Sequence, residues 1–121
     1  MSKKVLIADD EQNIVISVEF LMRREGYEVS VAGDGEAALQ RIREDKPDLV
    51  LLDVMMPKKN GFDVCQEVRA DPDFATTRIL MLTARGRDTE VAKGLALGAD
   101  GYMTKPFSTK DLVDKVRELL A

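Results

Sequence analysis

Histidine is absent from this chain of 121 residues, and cysteine occurs only once, as Cys65. The absence of histidine excludes histidine-based acid–base catalysis, serine–histidine hydrolysis and zinc sites with histidine ligands. It also means that the chain cannot donate a phosphoryl group from a phosphohistidine, although it can accept one. A single cysteine excludes an internal disulfide and a metal cluster held by cysteines. Cys65 itself is expected to be a small, buried hydrophobic residue.

Long apolar runs are missing as well. No run approaches the length of a membrane span, and the apolar stretch after Met1-Ser2-Lys3-Lys4 is too short for the core of a signal peptide. The net charge of −4 argues against a chain that binds nucleic acid by itself. These absences favour a cytoplasmic protein. Hydrophobic residues make up 45% of the sequence, which is typical of a globular chain, and the length predicts one domain over 1–121.

Short apolar runs alternate with helical patterns along the chain. The strands are predicted at 4–8, at the alternating Tyr27, Val29 and Val31, at 49–52, at 79–82 and at Tyr102-Met103. The helices are predicted at 11–25, from a cap at Asp34 to before Pro47, at 62–70, at about 89–97 and after a cap at Ser108. Five strand–helix units with right-handed crossovers predict an α/β fold, a doubly wound parallel sheet between two layers of helices.

Charged residues follow three of the predicted strands. Asp9 and Asp10 come directly after the first strand, Asp53 after the third, and Lys105 after the fifth. The carboxyl ends of parallel strands meet at one edge of the sheet, where open α/β sheets bind ligands. Crowded carboxylates repel each other, and a hard cation such as Mg²⁺ relieves that repulsion, while a lysine can meet the anion that arrives with the metal. The pattern predicts a phosphate-handling site.

Several motifs occur in a fixed order along nearly the whole chain. They are Asp9-Asp10, Leu52-Asp53-Val54-Met55-Met56-Pro57 followed by Gly61, Thr83-Ala84, and Gly98-Ala99-Asp100 followed by Tyr102 and Lys105-Pro106-Phe107. In this order they resemble the receiver domain of bacterial two-component response regulators, the CheY-like superfamily, as a stand-alone regulator or as a domain of a longer one. The resemblance implies a flavodoxin-like strand order, 2-1-3-4-5, which puts the strands that end at Asp9-Asp10 and Asp53 side by side.

The resemblance further implies a phosphorylation site with Mg²⁺ as its cofactor. Asp53 would be the phosphoacceptor, a nucleophile that forms an aspartyl phosphate. Asp10 would bind the metal directly and Asp9 through water, while Asp53 and the backbone carbonyl of Met55 would supply further oxygens. Met55 stands two residues after the acceptor and cannot orient water, and Arg85 could shield the phosphoryl oxygens, so the phosphorylated state is expected to last many minutes or longer.

Three other residues receive roles from the same resemblance. Lys105, aimed inward by a cis bond before Pro106, would pair with Asp53 and then with the phosphoryl oxygens. Thr83 would donate a hydrogen bond to the phosphoryl group, and Tyr102 would be a switch that fills, from outside, the space that Thr83 leaves. From the residues alone, Lys105 could be an ordinary surface lysine, Thr83 a capping hydroxyl and Tyr102 a half-buried strand aromatic.

The implied function is a phosphorylation-controlled switch rather than a multi-turnover enzyme. A sensor histidine kinase or a histidine phosphotransfer protein would be the donor, and an output partner would read the face formed by the fourth helix, fifth strand and fifth helix. A homodimer that forms on phosphorylation is compatible with this reading, with no direct contact to nucleic acid. Gly101 stands where the DNA-binding branch of the family usually carries a second acid, which weakens the case for a transcription-factor dimer.

Two other classes of protein fit parts of the pattern. A flavin carrier shares the fold, but it needs a phosphate loop rich in Ser, Thr and Gly where this chain has Asp9-Asp10-Glu11. A phosphatase with an aspartate nucleophile normally has an Asp-x-Asp motif after the first strand and a cap domain. Visible absorbance typical of a bound flavin would favour the first alternative. Steady turnover of a phosphate ester would favour the second.

Overall fold

The computed structural model describes residues 2–83 and 88–121, without the side chains of Asp88 and Thr89. The strands form a parallel sheet in the order β2-β1-β3-β4-β5. They are β1 (Lys4–Ala8), β2 (Glu28–Ala32), β3 (Leu49–Asp53), β4 (Arg78–Thr83) and β5 (Gly101–Thr104). The predicted flavodoxin-like order is therefore confirmed, with the alternating β2 at one edge and the fully buried β3 at the centre.

Helices cover both faces of the sheet. They are α1 (Gln12–Arg24), α2 (Gly35–Asp45), α3 (Gly61–Ala70), α4 (Asp88–Ala96) and α5 (Thr109–Leu120). Val18 of α1 and Val116 of α5 belong to one buried cluster, with strand residues such as Leu51. Val64 of α3 and Ile42 of α2 belong to the other, with the alternate strand residues such as Leu52. Because successive strand residues point to opposite faces, each strand contributes to both cores.

Local signals in the sequence account for several helix ends. Asp34, Asn60 and Ser108 each accept a hydrogen bond from the N–H three residues further on, as helix-capping side chains do. Gly98 follows α4 with a φ of 106°, a conformation that glycine adopts at little cost. The predicted bounds differ from the observed ones by a residue or so at most ends. A 3-10 helix at Pro72–Phe74, between α3 and β4, was not predicted.

The register of the sheet decides where the charged residues emerge. Ala8 of β1 pairs with Leu52 of β3, so Asp9 and Asp53 are the next residues along two neighbouring strands. Thr83 pairs with Thr104 at the ends of β4 and β5, one residue before Lys105. All these side chains therefore belong to the carboxyl edge of the sheet.

Among the residues described, no helix combines the length and the apolar character that crossing a membrane requires.

Candidate functional site

Three carboxylates come together at the carboxyl edge of the sheet. One carboxylate oxygen from each of Asp9, Asp10 and Asp53 lies within 4.8 Å of those from the other two. Asp9 and Asp53 are buried, whereas Asp10 is exposed. Asp9 Oδ1 accepts a hydrogen bond from the backbone N–H of Glu11 at 2.9 Å, which fixes the buried carboxylate. The sequence predicted this grouping, and Asp10 is the member most open to an incoming ion.

Lys105 supplies the positive charge of the site. Its Nζ lies 2.8 Å from Asp9 Oδ2 and 3.7 Å from Asp53 Oδ1, and the side chain is 9% exposed. The bond between Lys105 and Pro106 is cis. Asp53 was the expected partner of this lysine, but in the structure the shortest contact is to Asp9. Burial by itself lowers the pKa of the Lys105 ammonium, but the carboxylates of Asp9 and Asp53 more than offset this, so the pKa is raised and the lysine stays charged.

Glu11 is a fourth acid near the site, one that the sequence analysis did not assign to it. Its Oε1 lies 3.5 Å from Lys105 Nζ, although its side chain is 58% exposed. The signal was present, because Glu11 directly follows Asp9-Asp10. An exposed pair of this kind contributes little stability, so its main effect is to add negative charge at the rim of the site.

Asp53 is in an unusual electrostatic environment. Burial, followed by the nearby charge of Asp9, raises the pKa of its carboxyl from 3.8 to about 7. Lys105 and the backbone N–H of Met55 act in the opposite direction without cancelling the effect. In the absence of a metal, the carboxyl therefore takes up a proton near neutral pH. The proximity of the Asp9 carboxylate thus makes ionisation of Asp53 harder.

This raised pKa predicts how metal binding depends on pH. A cation must displace the proton from Asp53, so we expect the Mg²⁺ dissociation constant to rise by about tenfold for each pH unit below 7 and to level off above about pH 8. Titrations followed by nuclear magnetic resonance (NMR) over this range would measure it. In Asp53→Asn the residual metal binding should lose this pH dependence. A dissociation constant that stayed constant from pH 8 to pH 6 would contradict the prediction.

The same pKa affects stability without metal. A carboxyl whose pKa is raised on folding contributes stability at low pH, in full below its unfolded pKa of 3.8, and this contribution is lost as the pH rises through about 7. The ionised form of Asp53 therefore destabilises the folded protein in metal-free solution at neutral pH.

The loop of residues 54–60 connects Asp53 to α3. The backbone N–H of Met55 interacts with the Asp53 carboxylate, and the Met55 side chain is 73% exposed. Gly61 donates a hydrogen bond to the carbonyl of Val54 at 2.8 Å, and a Cβ atom at Gly61 would lie 2.4 Å from the Asp53 carbonyl oxygen. The backbone of this loop is thus held close to Asp53.

Thr83 and Tyr102 lie beyond Asp53, on β4 and β5. Thr83 is buried at the end of β4, and the hydroxyl oxygen of Tyr102 is also buried. Burial raises the pKa of the Tyr102 hydroxyl and Glu90 adds to the effect, while the side chain of Thr83 partly counters it. The Tyr102 hydroxyl lies beside Thr83, and the switch role of these two residues stays a prediction. Arg85, predicted to act near the phosphoryl group, lies outside the described residues.

A second polar cluster, centred on Arg69, was not predicted. The guanidinium of Arg69 donates hydrogen bonds to the carbonyls of Gly98, Phe74 and Thr77 and to the carboxylate of Asp100. It therefore ties α3 to the start of β4 and to the turn before β5. Arg69 has no periodic or motif signal in the sequence, since its partners are mostly backbone carbonyls.

The donor set fits a hard divalent cation. The ligands available are carboxylate oxygens of Asp9, Asp10 and Asp53, the oxygen chemistry that Mg²⁺ prefers, and only these few converge, so bound Mg²⁺ would keep several waters. A lysine beside these acids can contact an anion that the cation brings.

Comparison with known proteins gives a consistent result. The family model for the response regulator receiver domain matches residues 5–117. The alkaline phosphatase synthesis transcriptional regulatory protein PhoP of Bacillus subtilis (strain 168) is 45% identical over 120 residues, which make up 99% of this chain and 49% of PhoP. The chain thus spans about half the length of this curated relative.

Solved structures show the same similarity. The Vibrio cholerae chemotaxis protein CheY4 is 34% identical, with a TM-score of 0.93 and coverage of 99% of this chain and 100% of that one. The BeF3-activated DrrB receiver domain is 32% identical, with a TM-score of 0.89 and coverage of 99% of this chain and 98% of that one.

Proposed function

Because this chain belongs to the response regulator receiver domain family, we propose that it is a phosphorylation-dependent signalling switch that accepts a phosphoryl group on Asp53. The donor is a sensor histidine kinase or a histidine phosphotransfer protein, and the setting is the cytoplasm. The observation that carries the proposal is the grouping of Asp9, Asp10 and Asp53 within 4.8 Å, with Lys105 bridging two of them.

Each residue of the site has a defined task in the transfer. A carboxylate oxygen of Asp53 forms a bond to phosphorus while the bond between phosphorus and the donor imidazole nitrogen breaks, and the electron pair of that bond stays on the imidazole. Asp10, Asp53 and the Met55 carbonyl would hold Mg²⁺, which supplies positive charge that offsets the repulsion between the carboxylates and the phosphoryl oxygens. Lys105 exchanges its contact with Asp9 or Asp53 for a charge-assisted bond to a phosphoryl oxygen.

Phosphorylation then changes the surface through Thr83 and Tyr102. Thr83 donates a hydrogen bond to the phosphoryl group and moves towards Asp53, and Tyr102 occupies the space that this opens. The buried Tyr102 hydroxyl beside Thr83 supports this coupling, because the two side chains already share one space. The two arrangements differ by little energy, so the modification shifts a population. An output partner reads the face of α4, β5 and α5.

Two observations bear on the output of the switch. PhoP is named a transcriptional regulatory protein, and this chain covers only about half of it. Gly101, at the start of β5, stands where the DNA-binding branch of the family usually has a second acid, which weakens the case for a transcription-factor dimer. The reader of the switch is then a separate partner or a second copy of this chain that binds on phosphorylation. We assign no direct nucleic-acid contact to the receiver fold, and no multi-turnover activity beyond its own phosphorylation and dephosphorylation.

Phosphorylation of the purified protein tests the proposal. Acetyl phosphate with Mg²⁺ should add one phosphoryl group, seen by intact mass, and the same reaction with a metal chelator should not. Peptide mapping should place the group on Asp53. A mass unchanged under both conditions, and with every histidine kinase tried, would remove the basis for the proposal.

The exposed Met55 predicts a slow loss of the phosphoryl group. Hydrolysis needs a water held in line with phosphorus, and a thioether side chain cannot hold one. We expect the phosphorylated protein to persist for many minutes after the donor is removed. Met55→Asn should accelerate the decay by up to roughly tenfold, equivalent to ~1.4 kcal/mol of barrier. Leu95→Asn, another exposed apolar residue, serves as the control and should decay like the wild type.

A half-life of seconds in the wild type, with no acceleration in Met55→Asn, would show that this position does not set the lifetime.

A further inference from the structure

The loop of residues 54–60 rests on the first turn of α2, and the contact leaves no room for a side chain at Gly35. A Cβ atom at Gly35 would lie 2.1 Å from the carbonyl oxygen of Lys59 and 2.5 Å from the Lys59 Cβ. Real Cβ atoms do not approach backbone oxygens so closely, so the loop would have to move. The N–H of Gly35 also lies 3.3 Å from the carbonyl oxygen of Pro57, to which it donates a hydrogen bond.

Gly35 is required here for close approach and not for its backbone conformation. Its φ is not positive; among the glycines described, only Gly26 and Gly98 have a positive φ. As the first residue of α2, it occupies a position where alanine would ordinarily be the better helix former. Close contact with the loop is therefore the feature of the structure that disfavours a side chain at this position.

The part of the loop that touches Gly35 is connected to the site by few residues. Pro57 is two residues from Met55, whose N–H contacts the Asp53 carboxylate and whose carbonyl is a candidate metal ligand. At the far end of the loop, the hydrogen bond from Gly61 to Val54 fixes the backbone next to Asp53. If a side chain at residue 35 displaced Pro57 and Lys59, the backbone between Val54 and Gly61 would have to change. Met55 lies in that stretch.

We propose that Gly35 is a positioning residue for the metal site, one that sets the direction of the Met55 carbonyl by letting loop 54–60 seat on α2. The inference rests on the proposed function, since it assigns Mg²⁺ to the carboxylates and the Met55 carbonyl. Gly35 acts only through the loop and touches neither metal nor phosphoryl group. The first turn of α2 is thus the surface on which the loop packs.

Two glycine-to-alanine variants, two residues apart in the chain, test this. Gly35→Ala introduces the clash, whereas a Cβ atom at Gly33 would meet no heavy atom within 4 Å among the described residues outside its chain neighbours. We expect the Mg²⁺ dissociation constant, measured by NMR titration, to rise about tenfold in Gly35→Ala and to stay near the wild-type value in Gly33→Ala. Mg²⁺ should raise the melting temperature of the wild type and of Gly33→Ala. At the same Mg²⁺ concentration, this rise should be smaller in Gly35→Ala.

The rise in melting temperature on adding Mg²⁺ distinguishes a positioning role from a general loss of stability. A purely structural role would lower the melting temperature equally with and without Mg²⁺ and leave the dissociation constant unchanged, and that result would overturn the inference. A wild-type protein that did not bind Mg²⁺ would instead overturn the proposed function. Equal binding by wild type, Gly33→Ala and Gly35→Ala would remove only the role of Gly35.

A measurement on the wild type covers the case in which Gly35→Ala does not fold. The amide resonance of Gly35 should shift on adding Mg²⁺ and saturate at the same concentration as that of Met55, because both report on the seating of the loop. A Gly35 resonance that stayed fixed while that of Met55 moved to saturation would show that α2 does not sense the metal site, and the inference would fail.

Discussion

Asp53→Asn should abolish phosphorylation by acetyl phosphate and by any kinase, because the amide keeps the shape of the side chain and removes the nucleophilic oxygen. Intact mass after incubation with donor and Mg²⁺ measures the loss. Asp48→Asn is the matched control, since it makes the same change in charge at the opposite end of β3. Asp48→Asn should be labelled like the wild type, and full labelling of Asp53→Asn would mean that the acceptor is another residue.

The same variant should be more stable than the wild type in metal-free solution at pH 8. The raised pKa of Asp53 means that its charge opposes folding, and the amide removes that charge. We expect a gain of roughly 1–2 kcal/mol in the free energy of unfolding, less than the pKa alone implies, because Lys105 loses one carboxylate partner. Urea denaturation at pH 8 and pH 5 measures it, and the gain should shrink at pH 5. A loss of stability at pH 8 would contradict the electrostatic account.

Asp10→Ala should reduce Mg²⁺-dependent phosphorylation by at least about a hundredfold, the upper range for losing a residue that only supports a metal ligand, since Asp10 is the exposed carboxylate that an ion reaches first. Its fold should survive, because the side chain lies outside the core. Asp9→Ala should bind metal more weakly but also lose the 2.8 Å contact with Lys105, so its effect is mixed. Initial rates with acetyl phosphate at several Mg²⁺ concentrations measure both.

Glu28→Ala provides the control for Asp10→Ala. Glu28 is exposed at the start of β2, so it lies at the amino ends of the strands, away from the site at their carboxyl ends. Its removal changes the net charge by the same amount. Equal rates in the wild type, Asp10→Ala and Glu28→Ala at millimolar Mg²⁺ would show that Asp10 does not hold the metal.

The fold was predictable because its signals are local and repeated. The apolar runs, the caps at Asp34 and Ser108 and the glycine after α4 each specify one element, and the strand order followed once the motif resemblance was clear. The convergence of Asp9, Asp10 and Asp53 followed from the strand order, since adjacent parallel strands end side by side. Family membership and strand order are confirmed, while the roles of the individual residues stay predictions.

The remaining features depend on distances that sequence patterns do not encode. Asp9 and Asp53 both lie near Lys105, and which of them is closer is a matter of side-chain geometry. Arg69 binds backbone carbonyls, and every residue offers one of these, so no pattern singles out its partners. The buried position of the Tyr102 hydroxyl is likewise one of at least two that a strand aromatic can take.

The pairing of β1 with β3 also bears on how the chain folds. Val5 pairs with Leu49, so this contact closes a long stretch of chain, and loop closure of this kind is slow to form. The same step brings the carboxylates of Asp9 and Asp53 together, so electrostatic repulsion rises as the central strands join. A cation or a proton that neutralises the pair therefore acts on the assembly of the sheet as well as on the finished site. A divalent cation that bound these carboxylates would therefore favour the joined central strands, in addition to its proposed part in phosphorylation.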